Sequence, residues 1–215
     1  MIRYFHGRER SKFARDTDEM LRLRARQFRD RLGWDVGVKD GCEADEFDDM
    51  NPLYLVSKDE HSGTVAGCLR YLPTTGPTMM RNVFDQFFDQ PFSIESPLIW
   101  ECTRFAIEPA IATNRLTPTG LCRTTFELMQ GGTEVALMAG VEQVVGVFDK
   151  NMIRIYRRTG FAPEIIASSD KLDTGTIYIG LWDIGEEKLN AMRERSGIYD
   201  SVLEPEFAEE VSVVA

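Results

Sequence analysis

The chain has 215 residues, of which 43% are hydrophobic and 28% charged, and it carries a formal net charge of −10. This length and composition are typical of one globular domain, residues 1–215, and the acidic balance argues against general nucleic-acid binding, which needs a basic surface. No apolar run approaches the roughly 18 residues of a membrane-spanning helix, and the opening MIRYFHGRER lacks the apolar core of a signal peptide. We therefore expect a cytoplasmic protein without stable membrane insertion and without a nucleic-acid partner.

The cysteines and histidines do not form a metal-binding pattern. No C-x-x-C occurs, and the histidines are His6 and His61. We therefore expect no metal site, and reduced thiols at the four cysteines, which are Cys42, Cys68, Cys102 and Cys122. Cys102 is an alternative nucleophile, but no histidine lies near it in sequence to activate it.

The N-terminal quarter predicts a strand, a helix and a loop. Residues 1–5 favour a short strand, and residues 17–34 predict a helix with Asp16 or Thr17 as its N-cap. The apolar stripe of this helix is Met20, Leu21, Phe28 and Leu32. The acidic, glycine-containing segment 38–52 is expected to be a loop.

The next third of the chain predicts mainly strands. Residues 53–59 and 64–73 read as a strand pair joined by the turn-like DEHSG. A short amphipathic helix is predicted over 79–88, after the break TTGPT. The stretch LIWECTRFAIEP, residues 98–109, then has the apolar pattern of a buried strand, although two charged residues interrupt its middle.

The remainder predicts a long helix and a strand, followed by a basic helix. The long helix runs from about residue 119 to 139, with Gly131 and Gly132 weakening its middle. A strand over 142–149 leads into a helix over 150–160, which Gly160 ends.

Two late strands, 164–168 and 176–184, are followed by a helical stretch from Glu186 and an acidic tail, which we expect to be flexible from about residue 200 to 215. Strands and helices thus mix along the chain, a pattern that fits a mixed sheet covered by helices on both faces.

Two arginines stand where apolar residues are expected. Arg24 lies three residues after Leu21 and four before Phe28, so it shares the apolar face of its helix. Arg70 lies near the end of the strand GTVAGCLRY. Each has an ordinary alternative, in which Arg24 snorkels past the core edge and Arg70 extends into solvent.

The charged residues inside the 98–109 strand are Glu101 and Arg104. Their separation of three places them on opposite faces of a regular strand. They converge only across a β-bulge, where an extra residue redirects the side chains, and bulges are enriched beside active sites. The alternative is a buried ion pair without chemistry, which is weak evidence for stabilisation because desolvation offsets the Coulomb gain.

Asp45 and Asp48 belong to an acidic run that also contains Glu43, Glu46 and Asp49. The run is an ordinary solvated loop in one interpretation and a calcium loop in another, but the D-x-D-x-D-G order is missing. Set against the three arginines above, Asp45, Asp48 and Glu101 make a balance of three charges of each sign. A cleft with that balance suits a zwitterionic ligand.

These residues together resemble the acyl-homoserine-lactone synthases, the LuxI-type autoinducer synthases of bacterial quorum sensing. The resemblance covers roughly residues 20–110 and is specific as a set, although each piece alone is weak. The matching residues are Arg24 and Phe28 in R-x-x-x-F, Trp34, Asp45 and Asp48 in D-E-F-D, Arg70, Phe84 in NVFDQFF, and Glu101 and Arg104 in E-C-T-R-F.

The resemblance implies a GNAT-like α/β fold with three α-β-α layers and a mixed, mostly antiparallel central sheet. It implies that residues 1–50 cover the substrate. It also implies two substrates, S-adenosylmethionine and an acyl thioester on acyl carrier protein, and no cofactor, since S-adenosylmethionine is consumed. The expected product is an N-acyl-homoserine lactone, with methylthioadenosine released.

The resemblance also implies roles for individual residues. Phe28, Trp34, Arg104 and Phe105 are expected to bind S-adenosylmethionine. Glu101 is expected to be the catalytic base, acting directly or through one water, with Arg104 keeping it ionised and a bulge N–H stabilising the carbonyl oxygen. The remaining members of the expected catalytic set order the N-terminal loop and hold the polar groups of the ligand: Arg24, Asp45, Asp48 and Arg70.

Two further surfaces are expected from the resemblance. The acyl-chain pocket comprises Phe84, Val144, Val147 and Phe148, although the strand residues are equally compatible with ordinary core. The docking site for acyl carrier protein, itself acidic, is a basic helix face made of Lys150, Arg154, Arg157 and Arg158. A merely solvated basic face is an equal alternative.

Two other functions remain open at this point. One is a GNAT-type N-acyltransferase that uses an acyl-CoA donor and another amine; it is weakened because residues 107–125 lack the Q/R-x-x-G-x-G/A pyrophosphate loop. The other is a non-catalytic ligand-binding domain, which the placement of Glu101 argues against.

Overall fold

A computed structural model describes residues 1–90, 93–108, 110–111, 116–172 and 175–207. The strands are β1 Ile2–His6, β2 Val38–Lys39, β3 Cys42–Glu43, β4 Leu53–Lys58, β5 Val65–Pro73, β6 Ile99–Ile107, β7 Gln143–Asp149, β8 Glu164–Ser169 and β9 Ile177–Asp183. The helices are α1 Ala14–Ala25, α2 Arg123–Met138, α3 Lys150–Thr159 and α4 Glu186–Ser196. None of the helices in these ranges is long and apolar enough to cross a membrane.

Seven strands form one central sheet in the order β1-β4-β5-β6-β7-β9-β8. The β6–β7 pair is parallel and the other neighbours are antiparallel, so the sheet is mixed and mostly antiparallel, as predicted. Alternate residues of β4 divide between two cores. Leu53 and Leu55 pack with α2, whereas Tyr54 and Val56 pack with α1, so the two helices cover opposite faces.

The sheet opens between its two parallel strands. Pairing between β6 and β7 runs from Ile99–Gln143 to Glu101–Val145 and then stops. Both strands continue beyond that point, β6 to Ile107 and β7 to Asp149. Because their paired segments end early, the two strands part and leave a cleft that reaches both faces of the sheet.

The two adjacent glycines of α2 bring this helix close to the sheet. A Cβ atom on Gly131 would lie 2.9 Å from Ile2 Cγ1, and one on Gly132 would lie 2.6 Å from the Tyr71 hydroxyl. The pair therefore marks a close helix–sheet contact within a helix that is buried along most of its length. The N-terminus of α2 is at Arg123 rather than near residue 119.

The first helix differs from its predicted bounds. Its N-cap is Phe13, and Asp16 lies inside it as a buried acid that pairs with Arg3 at 2.8 Å and Lys58 at 2.6 Å. The α-helix ends at Ala25, and a π-helical turn continues from residue 26 to 31. The prediction failed because Asp16 bonds to side chains on β1 and β4 instead of to the helix N-terminus.

Two other segments are more ordered, or less regular, than predicted. The expected loop 38–52 contains the hairpin of β2 and β3 and a 3₁₀ turn over residues 46–49. The expected amphipathic helix 79–88 is a π-helical turn over 80–84 followed by a 3₁₀ turn over 85–87.

The chain beyond α4 returns to the edge strand β1. Ile2 donates its N–H to the Val202 carbonyl, Glu204 donates to the Ile2 carbonyl, and Phe207 stacks edge-on against Tyr4 at 5.5 Å. Val202 and Leu203 are buried. The expected flexible tail was therefore wrong for these residues, and residues 208–215 lie outside the described part of the chain.

Candidate active site

Arg24 lies at the centre of a buried network of charges. It is fully buried on the inner face of α1, and its guanidinium donates to Glu43 Oε2 at 2.5 Å and to both oxygens of Asp48, at 2.8 and 2.9 Å. Tyr54 donates a further hydrogen bond to Asp48 at 2.8 Å. The alternative in which Arg24 snorkels into solvent is therefore wrong.

Two more arginines complete the network. Arg70, which is 1% exposed, contacts Asp45 at 2.5 Å and Asp48 at 2.8 Å, and it donates to Thr103 at 3.0 Å. Arg104 contacts Glu43 at 2.9 Å and Asp45 at 2.7 Å. The expectation of a solvent-exposed Arg70 is wrong. The interpretation of the acidic run as a solvated loop is wrong for its three acids in this network, although Glu46 and Asp49 are exposed.

The network contains three charges of each sign, but its third acid is Glu43 instead of Glu101. We call Arg24, Arg70, Arg104, Glu43, Asp45 and Asp48 the charge cluster. Burial acts to raise the pKa of Asp48, but the hydrogen bonds and charges of Arg24 and Arg70 outweigh it and hold that pKa well below its usual range. The cluster fastens the segment 42–49 across the sheet face that α1 covers.

The predicted bulge is present, and it turns Arg104 toward the cluster. The pairing of β5 with β6 shifts register between Cys68 and Arg70, where two steps on β5 face three on β6. Arg104 sits within the longer stretch with a φ of 54°, a left-handed conformation that costs energy for a non-glycine residue. This conformation places its guanidinium on the same face as Arg70, with which it shares Asp45.

Glu101 does not pair with Arg104, contrary to our expectation. Its carboxylate, which is 1% exposed, accepts hydrogen bonds from the backbone N–H groups of Met79 at 2.8 Å and Met80 at 2.5 Å. Burial raises the pKa of Glu101 to about 7, and these N–H groups with Arg70 and Arg104 only partly oppose the shift. The expectation that Arg104 holds Glu101 fully ionised was therefore wrong.

A cavity of about 360 Å³ occupies the cleft between β6 and β7. Glu101 and Arg104 line it, together with Phe28, Trp34 and Phe105. The other members of the charge cluster are absent from this lining, so the expectation of a cleft lined by three charges of each sign was wrong. Arg104 is the member of the cluster that reaches the cavity.

One wall of this cavity is an aromatic and cationic stack. The rings of Phe28 and Trp34 are stacked at 5.3 Å with 17° between their planes. The guanidinium carbon of Arg104 lies 5.3 Å from the centroid of the Phe28 ring, within the range of a cation–π contact. The π-helical turn after α1 carries Phe28 to this position, so the irregular end of the helix serves the site.

The rest of the cavity lining is mainly apolar. It contains the four residues expected in an acyl pocket, namely Phe84, Val144, Val147 and Phe148. Phe148 packs against Tyr156 at 5.1 Å and Trp182 at 5.5 Å, which form an aromatic block that we had not predicted. Their sequence signals were weak, because aromatic residues in a helix and a late strand equally predict ordinary core.

Other lining residues escaped the sequence analysis. Met79 contacts Arg70 at 3.2 Å and Arg104 at 3.4 Å through its sulfur, and Tyr71 and Met129 enter from the α2 side of the sheet. Glu43, in the charge cluster, belongs to the acidic run, and its sequence context is no different from that of its acidic neighbours. No local pattern marks which acid of such a run will be buried.

The helix α3 lies between the cavity and the surface. Met152, Ile155 and Tyr156 line the cavity from its inner side, whereas three of the four predicted docking residues are exposed on its outer side: Lys150, Arg154 and Arg157. The fourth, Arg158, is half-buried and donates to the Thr119 carbonyl, so it fastens the chain before α2 instead of standing free.

Cys102 lines the cavity, but its thiol is poorly suited to nucleophilic attack. Burial raises the pKa of Cys102 to about 12. The reactive thiolate is therefore scarce near neutral pH.

Comparison with known proteins yields consistent matches along the chain. The family model described as "Autoinducer synthase" matches residues 8–192. An acyl-homoserine-lactone synthase from Rhizobium etli is 43% identical over 180 residues, which cover 83% of this chain and 82% of that protein.

Solved structures match the fold over most of the chain. One is BjaI, a CoA-dependent acyl-homoserine lactone synthase solved with SAM and isopentyl-CoA, with a TM-score of 0.82, 23% identity and coverage of 95% of this chain and 92% of that one. Another is TofI in a ternary complex with an inhibitor and MTA, with a TM-score of 0.68, 27% identity and coverage of 83% and 90%.

Proposed function

The chain belongs to the autoinducer synthase family and is an acyl-homoserine-lactone synthase, an acyltransferase, and from this premise we propose the two substrates and the residues that join them. The substrates are S-adenosylmethionine and an acyl thioester carried by acyl carrier protein. The observation that carries the proposal is that a buried carboxylate, an arginine and an aromatic pair line one cavity whose remaining lining is mainly apolar. S-adenosylmethionine is consumed as a substrate, and no resident cofactor is needed.

The polar end of the cavity suits S-adenosylmethionine. Its carboxylate has a cationic partner in Arg104, and its sulfonium has aromatic neighbours in Phe28 and Trp34. The charge cluster acts through position, because its five members outside the cavity hold the segment 42–49 and orient Arg104. MTA, which TofI holds in its ternary complex, is methylthioadenosine, the fragment that this reaction releases.

The reaction begins with the amine of S-adenosylmethionine. An α-amino group has a pKa of about 7.7–8.0 and must lose a proton before it attacks a carbonyl. Glu101 is the base, acting directly or through one water, and its pKa of about 7 lies close to that of its substrate. Such matching favours proton transfer near neutral pH.

The free amine then attacks the carbonyl carbon of the acyl thioester. A C–N bond forms, the C–S bond breaks, and the thiol of the carrier leaves with a proton. In the second step the carboxylate oxygen of the acylated intermediate attacks its own γ-carbon. The C–O bond of the lactone forms as the carbon–sulfonium bond breaks, and methylthioadenosine leaves as a neutral thioether.

Acyl carrier protein is the donor that the surface of α3 favours. Lys150, Arg154 and Arg157 are exposed on the outer side of a helix whose inner side lines the cavity, in a chain of net charge −10. An acidic carrier docked there stands one helix thickness from the acyl pocket. BjaI is CoA-dependent, so acyl-CoA is the alternative donor.

One assay tests the reaction and its donor. The purified protein is incubated with S-adenosylmethionine and with the same acyl group on either acyl carrier protein or coenzyme A, and products are identified by mass spectrometry. We expect lactone and methylthioadenosine in equal amounts, with the higher kcat/KM for the carrier-bound donor. A higher value for acyl-CoA overturns the choice of donor, and acyl transfer without methylthioadenosine overturns the proposed reaction.

A further inference from the structure

The Glu101 carboxylate is held by one short segment of backbone. We call residues 74–82 the anchoring segment. Both carboxylate oxygens are used, Oε2 by the Met79 N–H and Oε1 by the Met80 N–H. The carboxylate therefore keeps its orientation only while the anchoring segment keeps its position.

The side chain of Arg81 ties the anchoring segment together. Its guanidinium donates to the carbonyls of Thr74 at 3.0 Å, Gly76 at 3.3 Å and Ile94 at 3.0 Å. Thr74 and Gly76 lie in the turn that leads to Met79, whereas Ile94 lies in the segment before β6, so Arg81 joins that turn to the later segment. A planar guanidinium with several donors matches this arrangement, whereas an ammonium does not span it.

Arg81 is separate from the groups that line the cavity. It is absent from the lining residues among the described part of the chain, and its acidic partner is Glu95, at 3.8 Å. Its backbone N–H donates a hydrogen bond to the Thr78 hydroxyl oxygen at 3.2 Å. Any effect of Arg81 on the reaction therefore passes through the anchoring segment.

We propose that Arg81 is a positioning residue: it fixes the anchoring segment, and the two N–H groups of that segment hold the Glu101 carboxylate in its working orientation. This inference rests on the proposed role of Glu101 as the base. The other charged or titratable groups that face Glu101 are Arg70 on β5 and Arg104 and Cys102 on β6. Arg81 contacts none of these three.

The test compares Arg81→Ala and Arg81→Lys with the wild-type enzyme. Glu101 is titrated by ¹³C NMR of glutamate-labelled protein, with Glu101→Gln to assign its signal, and kcat and KM are measured against pH. In Arg81→Ala we expect the Glu101 midpoint to rise above its wild-type value, because N–H donors favour the ionised carboxylate. We also expect kcat to fall on the order of tenfold, with a smaller change in KM, and Arg81→Lys to recover part of the loss.

A matched control is Arg193→Ala on α4. The Arg193 side chain is 22% exposed against 30% for Arg81, and it contacts Glu134 away from the cavity. A Glu101 midpoint that is the same in Arg81→Ala and Arg193→Ala overturns the inference, whatever the loss of stability. If the pH profile of the wild-type kcat has no acidic limb, the role of Glu101 as the base is overturned instead. The NMR titration then still decides whether Arg81 positions the Glu101 carboxylate.

Discussion

Glu101 combines deep burial with a carboxylate that is hydrogen-bonded but has no ion-pair partner among the described residues. No arginine or lysine of the described residues forms an ion pair with it, and its carboxylate is instead bound by two backbone N–H groups. A carboxylate that is ion-paired, as Asp48 is, has a depressed pKa and is a weak base. Glu101 is not ion-paired in this way, because Arg104 is turned toward Glu43 and Asp45.

The raised pKa of Glu101 predicts a pH-dependent stability cost. The folded-state pKa of about 7 exceeds the model-compound value of 4.5, so ionisation destabilises the fold as pH rises through this window. Relative to Glu101→Gln, we expect the wild-type free energy of unfolding to fall by about 2 kcal/mol between pH 5 and pH 8.

Urea denaturation at the two pH values measures this difference. The exposed acid Glu187, on α4, supplies the control Glu187→Gln for the change in net charge. An equal difference between wild type and Glu101→Gln at both pH values would refute the raised pKa.

Arg24 is expected to matter for stability more than for binding. Arg24→Met leaves Glu43 and Asp48 buried with their strongest partner removed, which costs about 3–5 kcal/mol in comparable buried pairs. The matched change Arg22→Met, on the exposed face of the same helix, removes a surface pair with Asp18 and an exposed hydrogen bond to the Asp40 carbonyl, and it should cost about 1 kcal/mol. Chemical denaturation separates them, and equal losses would contradict a buried charge cluster.

At the scale of residues, the sequence identified charged side chains in unusual places when they stood within an apolar pattern. Arg24, Arg70 and Glu101 stood out because they interrupt apolar patterns, and all three are buried. The sequence did not predict which acids pair with the arginines. Glu43 joins the charge cluster in place of Glu101 because β3 and the bulge in β6 set the positions of these side chains. In a regular strand the odd spacing would place Arg104 on the face opposite Glu101. The bulge and its left-handed backbone instead bring Arg104 to the face of Arg70, where it pairs with Glu43 and Asp45.

At the scale of elements, the two glycines of α2 lower its intrinsic helix propensity but allow a close contact with the sheet. Helix propensity predicts that Gly131→Ala stabilises an exposed helix by about 1 kcal/mol. In this helix the added Cβ meets the fully buried Ile2, so we expect a net destabilisation of about 1–3 kcal/mol. Thermal unfolding tests the sign.

Gly37→Ala provides the control for this change, because Gly37 is exposed, lies outside the helices, and an added Cβ there would make only an ordinary contact, 3.6 Å from the Ala44 carbonyl oxygen. We expect it to change stability only slightly. A more stable Gly131→Ala would show that α2 and β1 have room between them, against the close contact described above.

The helix α3 has one side in the cavity and the other in solvent, and its charges predict a kinetic effect. The double reversal Arg154→Glu and Arg157→Glu should raise KM for the carrier-bound donor on the order of tenfold, and less at high salt, while kcat is retained. The matched reversal of the exposed Lys12 and Arg15, outside α3, should leave KM unchanged. Steady-state kinetics decide, and an unchanged KM would move the docking site elsewhere.

Element boundaries failed for a shared reason. The helix 17–34 and the helix 79–88 were predicted from apolar periodicity, which does not distinguish an α-helix from a π-helical turn. Both irregular turns lie beside the cavity. One carries Phe28, and the other begins at Met80, whose N–H donates to Glu101. Such turns are frequent at functional sites, so the errors in the predicted helix bounds fall beside the candidate active site.

At the scale of the whole molecule, the layer architecture followed from alternation of strands and helices and from the family resemblance. The cavity did not, because it depends on where the pairing of β6 and β7 stops. No single residue in either strand signals that event. The ordered return of residues 201–207 to β1 was missed as well, since an acidic C-terminal stretch predicts a free end.

The sheet opening, the charge cluster and the aromatic stack converge on a single arrangement in which Glu101 removes a proton inside the cavity. The most direct test is the pH dependence of the rate constant for amide formation, measured in single-turnover experiments on the wild type and on Glu101→Gln. If Glu101 is the base, we expect an acidic limb with a midpoint of about 7 in the wild type, and in the variant a rate lower by about 100-fold or more, without that limb. A Glu101→Gln enzyme that keeps both the wild-type rate and the same limb would contradict this role of Glu101.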